Sequence, residues 1–238
     1  MDFERKNDFE YISRNVEGIR KRIKEAALSA GRNPEDITLV AAVKYATPDE
    51  VRYLCEAAGV KELGENRVQQ LLEKHEQSLE GGARLHFIGN LQTNKVKYIV
   101  DKVDMIHSLD SERLAAEIDK QCKKIGKVMP VLCEVNSGRE EAKGGLFPEQ
   151  VEEFCLGLSK YSNIKLCGFM TMAPKCENYD EYFKYFSETA KLVLDIWHKK
   201  LDNIYKPVLS MGMSVSFEAA IAAGSTVVRV GRSLFVKD

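Results

Sequence analysis

Eight short apolar segments alternate with segments of helical character, and this alternation restricts the fold more than any other feature of the chain. The strand-like segments are ITLVAAVKY, KELGENR, LHFIGNL, DMIHSLD, VMPVLCEVN, IKLCGFMTM, PVLSMG and STVVRVGRSLF. The helical segments between them are Pro48 to Ala58, Asn66 to Glu80, Thr93 to Val100, Ser111 to Ile125, Pro148 to Tyr161, Tyr179 to Lys200 and Ser216 to Ala223. Eight strand–helix units in 238 residues predict a parallel (β/α)8 TIM barrel, with an open doubly wound sheet as the alternative fold.

A further helix is predicted before the first strand. This helix is expected to end before Gly31. Its apolar face consists of residues that recur at steps of three and four: Ile12, Val16, Ile19, Ile23 and Ala27. The chain has no Pro/Gly/Ser-rich linker, low-complexity tract or break in composition. We therefore expect a single domain over residues 1–238.

Composition excludes several classes of function. Lys plus Arg is 35 and Asp plus Glu is 36, so the net charge of −1 favours neither nucleic acid nor an anionic membrane as a partner. The charged amino terminus and the lack of any segment near about 18 consecutive apolar residues predict a soluble, cytoplasmic protein. The six cysteines form no C-x-x-C pair, and the four histidines are scattered, so no metal site is predicted. Since no exposed apolar heptad is evident, we expect a monomer.

Lys44 stands where the first strand passes into a helix. Residues 37–43 form an apolar, β-branched run typical of a strand buried on both faces, and residues 47–50 (TPDE) form a helix start with a capping hydroxyl, a proline and two acids. Two interpretations of Lys44 remain open. Its ammonium group extends into water from an apolar stem, or it is a partly desolvated amine that forms a Schiff base with an aldehyde.

The last two strands end in sequences that suit an anion. After strand seven, Gly212 lets the backbone turn and Ser214 is expected to cap the short helix FEAAIAAG. After strand eight, Gly231 permits close approach of the chain and Arg232 supplies positive charge. Taken alone, each of these two loop sequences is also typical of an ordinary turn or helix cap. Together they gain weight, because TIM barrels commonly bind phosphate at this pair of loops.

Arg229 lies two residues before Gly231, on the same face of the last strand. An arginine that points into a barrel pairs with a carboxylate or faces an acceptor on a ligand. An amine after strand one, an anion site after strands seven and eight, and an arginine between them match a ligand with an aldehyde, a phosphate and a ring acceptor. Pyridoxal 5′-phosphate has all three groups.

Seven ordered segments resemble the YggS/PROSC-type pyridoxal phosphate homeostasis proteins over nearly the whole chain. The segments are VAAVKY, LGENRVQ, LHFIGNLQTNKVKYIV, SLDS, VNSGREEAKGGL, GFMTMAP and LSMGMSVSFEAAIAAGSTVVRVGRSLF. The resemblance implies a single barrel of the alanine racemase N-terminal type (fold type III of the pyridoxal phosphate proteins). It also implies pyridoxal 5′-phosphate as the cofactor.

Carried over position by position, the resemblance implies that Lys44 forms the internal aldimine. It implies that Ser214, Gly231 and Arg232 hold the phosphate and that Arg229 faces the pyridine nitrogen. Asn66 and Ser210 would line the pocket. The family often has threonine where Arg232 stands, so the detail of the phosphate contacts is open here.

The resemblance favours a carrier over an enzyme, and therefore no catalytic residue is assigned. An arginine at the pyridine nitrogen weakens the cofactor as an electron sink, although racemases of this fold also work with arginine there. Two-base racemisation needs a second acid/base, which a domain after the barrel helps to supply in racemases, whereas this chain ends at Asp238 soon after strand eight. We expect a barrel mouth that is open to water. The resemblance implies a homeostasis protein that holds the cofactor reversibly on Lys44, and transfer of the cofactor to apo-enzymes is left open.

Two enzymatic alternatives remain at this stage: a weak amino-acid racemase, and a Schiff-base lyase acting on a phosphorylated sugar. A structural or interaction module is disfavoured by the three-part site. Lys143, in the segment EEAKGG, is interpreted as a surface lysine, with a transient second aldehyde acceptor as the alternative.

Overall fold

The computed structural model describes residues 8–80, 82–140, 143–201 and 206–237. Within these residues the chain opens with helix α1, Glu10–Ser29, and continues as alternating strands and helices. The strands are β1 Thr38–Ala42, β2 Glu62–Glu65, β3 Arg84–Phe87, β4 Met105–Leu109, β5 Met129–Val135, β6 Ile164–Thr171, β7 Val208–Ser210 and β8 Val227–Val230. The further helices are α2 Pro48–Glu56, α3 Val68–Glu80, α4 Glu112–Lys124, α5 Val151–Gly157, α6 Tyr179–Asp195 and α7 Phe217–Ala222.

The eight strands are parallel and close into a barrel in chain order. The sheet closes because β1 pairs with β8 as well as with β2, with Val40 opposite Arg229 in the register. The predicted (β/α)8 barrel is therefore confirmed, and the open doubly wound sheet is wrong. The segment KELGENR, with poor strand propensity, does contain β2.

Most of the helices also follow the prediction. Helix α1 buries the apolar face that the sequence indicates, including Ile12, Val16 and Ile23. Helix α2 begins with a complete capping box, in which Thr47 and Glu50 exchange hydrogen bonds between side chain and backbone. Between β3 and β4 the connection is a six-residue 3-10 helix, Thr93–Tyr98, rather than an α-helix.

Apolar side chains fill the layer between the barrel and the helices. Outward-facing strand residues pack there against α1 to α4, for example Leu63 and Ile106 against Leu54 and Ile118, all fully buried. A second apolar cluster packs β5, β6 and β7 against α6 and α7. Strand residues that face the barrel interior are polar in several places, and these lead to the site. Among the described residues, no helix is both long enough and apolar enough to cross a membrane.

Candidate functional site at the carboxyl end of the barrel

Lys44 lies two residues beyond β1, at the carboxyl end of the barrel, and is partly exposed. Its Nζ lies 4.7 Å from the centre of the exposed Tyr45 ring. The preceding residue, Val43, is fully buried, and its N–H donates to the Gly64 carbonyl at 3.0 Å. The backbone that carries Lys44 is thus held to β2, while the amine itself stays accessible.

A buried ion pair supports this segment from the helix side. Lys74 on α3 contacts Glu65 at 2.8 Å, and both residues are almost completely buried. The same ammonium group donates to the Val43 carbonyl at 2.6 Å, and the second Glu65 oxygen accepts from the Asn66 N–H at 2.9 Å. The pair therefore fixes the backbone just before Lys44 and at Asn66. The sequence reasoning missed it, because Lys74 sits in an ordinary polar helical pattern.

Asn66 follows β2 directly and is partly buried. Its Oδ1 is buried and has no hydrogen-bond partner among the described residues. Its backbone lies so close to Gly89 that a Cβ atom there would meet the Asn66 carbonyl oxygen at 2.2 Å. A cavity of about 380 Å³ opens beside Asn66, and Arg67 and Lys95 also line it. An amide oxygen without a partner at the edge of a cavity indicates a place for a ligand.

Arg229 is the buried cation of the barrel interior. Its Nη1 donates to the Ser210 carbonyl at 2.7 Å and to Ser210 Oγ at 2.6 Å, and its Nη2 donates to the Thr171 carbonyl at 3.0 Å. Burial lowers the pKa of Arg229 to about 10, against the opposing effect of Glu134. The guanidinium is thus a cation at neutral pH. These bonds use three of its five N–H donors and leave two for a ligand.

The loops after β7 and β8 approach each other. Ser233 Oγ donates to Ser214 Oγ at 3.2 Å, which joins the two loops. Gly212 has a φ of +90°, and a Cβ atom there would lie 2.6 Å from the Ala220 Cβ. The turn after β7 therefore requires glycine.

The expectation that Ser214 caps the following helix is wrong. Helix α7 begins at Phe217, so Ser216 occupies the N-cap position. The Ser216 hydroxyl accepts from the Met213 N–H at 3.2 Å and tightens the turn. The Ser214 hydroxyl lies two residues earlier and is not tied to the helix end, which leaves it available to a ligand.

Strand pairing places the predicted residues of β7, β8, β1 and β2 on four consecutive strands of the barrel. A Cβ atom at Gly231 would lie 3.1 Å from the Ala42 carbonyl oxygen, so the end of β8 abuts the strand that leads to Lys44. Arg229 links β8 to Ser210 on β7. Arg232 follows Gly231 in a 3-10 turn, and its side chain is exposed.

A carboxyl group that the sequence reasoning missed, Glu134, acts electrostatically on Arg229 and opposes the lowering of its pKa. Glu134 on β5 is buried, and its pKa is raised to about 7, first by burial and then by Asp110, with Arg229 opposing. A Cβ atom at Gly144 would lie 3.4 Å from Asp110 Oδ2 and 3.6 Å from Glu134 Oε2, so the glycine segment covers both acids. The only sequence signal was an acid inside the apolar run VLCEVN.

Lys143 lies at the rim. It is exposed, forms an ion pair with Glu140, and lines a cavity of about 260 Å³ together with Thr171, Gly212 and Arg229. Its surface interpretation fits the exposure, and its place on this cavity keeps the second interpretation open. Among the described residues, no cluster of three or more His, Cys, Asp or Glu side chains could hold a metal ion.

Comparison with known proteins identifies the family of this chain. The family described as "Alanine racemase, N-terminal domain" matches residues 12–238. A pyridoxal phosphate homeostasis protein from Aquifex aeolicus is 43% identical over 96% of this chain and 97% of its own length. The chain belongs to the pyridoxal phosphate homeostasis protein family.

Two other family members extend the comparison. The Escherichia coli (strain K12) pyridoxal phosphate homeostasis protein is 33% identical over 94% of this chain and 95% of its own length. The structure of PipY from Synechococcus elongatus, solved with PLP bound, is 26% identical with a TM-score of 0.81 and covers 94% of this chain and 100% of that one. The family resemblance inferred from the sequence motifs is thus confirmed.

Proposed function

We propose that the protein binds pyridoxal 5′-phosphate at the carboxyl end of the barrel and serves in intracellular homeostasis of this cofactor. The observation that carries the proposal is the buried Arg229 guanidinium, which is fixed by Ser210 and Thr171 and retains two free donors beside the strand that leads to Lys44. The names of the relatives, and the PLP bound in PipY, support the same assignment.

The residues present fit this cofactor. The neutral amine of Lys44 would form a C=N bond with the aldehyde carbon and release one water molecule. Ser214 and Gly231, with the backbone N–H groups of the loops, would bind the phosphate, and the exposed Arg232 would add positive charge at its outer side. The unpartnered Oδ1 of Asn66 would accept a hydrogen bond from the ligand side of the pocket.

Arg229 would determine the electronic state of the bound ring. A guanidinium only donates hydrogen bonds, so at the pyridine nitrogen it would donate a hydrogen bond, keep its own proton and leave the nitrogen unprotonated. Bound pyridoxal phosphate supplies a reactive aldehyde and an electron-accepting ring, and the ring accepts electrons best when its nitrogen is protonated. Arg229 therefore favours storage of the cofactor over carbanion chemistry.

We propose, in keeping with this, a carrier without catalysis of its own. The partly exposed Lys44 supports reversible exchange of the cofactor with solvent. Transfer to apo-enzymes, a monomeric state and a cytoplasmic location remain predictions from the sequence. Gel filtration with light scattering measures the oligomeric state, and transfer is measured as activity regained by an apo-enzyme when it is mixed with the loaded protein.

Titration with pyridoxal 5′-phosphate, followed by visible absorbance, tests the site. The wild-type protein should form a visible band that saturates at one equivalent. Lys44→Ala should lose this band and bind at least about tenfold more weakly, or ~1.4 kcal/mol. Lys143→Ala, a lysine on the neighbouring rim, is the matched control and should retain the band. Equal bands in the wild-type protein and Lys44→Ala would refute the role of Lys44.

Exchange of the alanine Cα proton with deuterium oxide tests for catalysis. The proposal predicts no exchange above that of free cofactor at the same concentration. If exchange were faster, and Glu134→Gln abolished the excess, the protein would be a weak racemase that uses Glu134 as an acid/base.

A further inference from the structure

A line of hydrogen bonds crosses the barrel interior from Glu62 to Arg229. His86 Nε2 lies 2.5 Å from Glu62 Oε2, and His86 Nδ1 lies 2.8 Å from His107 Nε2. His107 Nδ1 lies 3.1 Å from Ser210 Oγ, which accepts from Arg229 Nη1 at 2.6 Å. We refer to these five residues as the interior chain.

The interior chain connects the two ends of the barrel. Glu62 is the first residue of β2, at the amino end, and its side chain is 20% exposed. His86, His107 and Ser210 are buried, and Arg229 lies at the carboxyl end beside the proposed cofactor site. A partly solvated carboxylate is thus joined to the buried guanidinium through three intervening side chains.

The hydrogen positions follow from what each group can donate. Arg229 can only donate, so Ser210 Oγ accepts from it and has one O–H left to give. The acceptor within reach is His107 Nδ1, which places the His107 proton on Nε2, facing His86 Nδ1. His86 then carries its proton on Nε2 and donates to the Glu62 carboxylate. In this direction each contact from Arg229 to Glu62 pairs one donor with one acceptor.

The opposite direction leaves polar groups unsatisfied. If His107 donated from Nδ1 to Ser210, its Nε2 would have to accept from His86 Nδ1. A neutral His86 would then present a bare Nε2 to the Glu62 carboxylate, two acceptors 2.5 Å apart. A doubly protonated His86 would avoid this, but the Ser210 hydroxyl hydrogen would remain buried without an acceptor in the described interior.

The charge environment also favours a neutral His107 in the middle of the chain. Burial, His86 and Arg229 together lower the pKa of His107 well below its usual value. Arg84, on the exposed side, contacts the second Glu62 oxygen at 3.3 Å, outside the line of hydrogen bonds. On the side of Arg229, Glu134 opposes the lowering of the arginine's pKa, and Asp110 acts in turn on Glu134.

We propose that Glu62, His86 and His107 are positioning residues that act through Ser210 to orient Arg229 toward the pyridine nitrogen of the cofactor. The inference rests on the proposed function, because the pyridine nitrogen is the group that Arg229 would meet. Hydrogen bonds in a chain polarise one another, so a carboxylate at one end strengthens Ser210 Oγ as an acceptor at the other. The interior chain thereby fixes both the direction and the donor strength of the free Arg229 N–H groups.

Nitrogen-15 NMR of the imidazole rings, in protein without added cofactor, tests the direction of the chain. Both His86 and His107 should be neutral and protonated on Nε2. Glu62→Gln keeps an oxygen that accepts from His86 and should retain both tautomers. Glu62→Leu removes that acceptor, so His86 should no longer be held in the form protonated on Nε2. A proton on His107 Nδ1 in the wild-type protein would overturn the proposal, whether or not the protein binds pyridoxal phosphate.

Cofactor binding tests the positioning role separately. Glu62→Leu and His107→Phe should bind pyridoxal 5′-phosphate about three- to tenfold more weakly, the effect of one weakened hydrogen bond. Their visible band should also shift, since a merely structural role would leave the ring environment unchanged. Arg84→Gln is the control: it removes a partner of Glu62 outside the interior chain and should match the wild-type protein.

The outcomes separate this inference from the proposed function. If the wild-type protein binds no pyridoxal phosphate, the proposed function fails, and the positioning role fails with it. If the wild-type protein binds and both variants bind with the same affinity and the same band, the positioning role alone is refuted. Should His107→Phe not fold, Glu62→Leu compared with Glu62→Gln gives the same decision.

Discussion

The barrel separates two buried regions that are stabilised in different ways. Outside the strands, Leu63 and Ile106 pack against helical residues in a layer that is almost entirely apolar. Inside, His86, His107 and Arg229 occupy positions where TIM barrels usually place bulky branched residues. Apolar packing depends mainly on area and volume, whereas the interior depends on donors, acceptors and charge. The outer layer therefore supplies stability, and the interior supplies orientation.

The outer layer also contains a buried ion pair, Glu65–Lys74, and breaking it should have the largest effect. Glu65→Ala leaves the Lys74 ammonium buried without its carboxylate, which should cost about 3–5 kcal/mol of unfolding free energy. Urea unfolding measures this. The double variant Glu65→Leu with Lys74→Met removes both charges and should recover most of the loss. If Glu65→Ala lowered the free energy of unfolding by less than about 1 kcal/mol, the ion pair would not be fixing the backbone before Lys44.

Truncation within the apolar layer should have the next largest effect. Leu54 on α2 is fully buried in this layer. Leu54→Ala should leave a cavity and lower the free energy of unfolding by about 2–5 kcal/mol. Leu54→Met conserves volume and should lose less than about 1.5 kcal/mol. Both variants should keep the affinity for pyridoxal phosphate of the wild-type protein. A selective loss of cofactor binding would contradict the division between stability and orientation.

Inside the barrel, Glu134→Gln should have an effect that depends on pH. The pKa of Glu134 is raised from 4.5 to about 7, so its stabilising contribution is complete below pH 4.5 and is lost as pH rises through about 7. Glutamine stays neutral at every pH. The free energy of unfolding of the variant should therefore rise relative to that of the wild-type protein across this window, by about 3 kcal/mol at most.

Urea unfolding at about pH 5 and about pH 8 measures this gain. It should be larger at the higher pH. Glu153→Gln, at an exposed position, is the control and should show no such dependence on pH. An equal difference at both pH values would mean that Glu134 is already ionised throughout.

Surface charges should have the smallest effect. Arg139 and Glu149 form a two-pronged pair at 2.9 Å, but both side chains are more than half exposed. Arg139→Ala should leave the stability nearly unchanged, and added salt should reduce any difference from the wild-type protein. A loss comparable to that of Glu65→Ala would show that burial does not govern the value of charge in this protein.

The sequence predicted the barrel because its evidence is periodic and local. Apolar runs, helix starts such as residues 47–50, and the order of eight units were sufficient, and even the weak strand Glu62–Glu65 was placed correctly. It also brought Lys44 and Arg229 to one end of the barrel, since parallel strands end on the same side. The Ser214 cap was wrong because a serine two residues downstream, Ser216, occupies the N-cap position instead.

The interior chain and the buried pair were not predictable in the same way. In LHF and MIHSL a histidine stands among apolar residues, as it can in a strand with one face in water. Only closure of the barrel turns that polar face inward and brings His107 on β4 to Ser210 on β7. Lys74 is likewise an ordinary helix residue until α3 packs on β2 and buries it against Glu65.

Borohydride reduction of the purified protein with pyridoxal 5′-phosphate, followed by peptide mass mapping, tests the central claim most directly. Reduction makes a C=N bond permanent and marks the lysine that formed it. The account predicts one phosphopyridoxyl mass, on the peptide that contains Lys44, and its loss in Lys44→Ala. No adduct, or an adduct confined to Lys143 or other surface lysines, would mean that Lys44 only extends into water and that the barrel holds no covalent cofactor site.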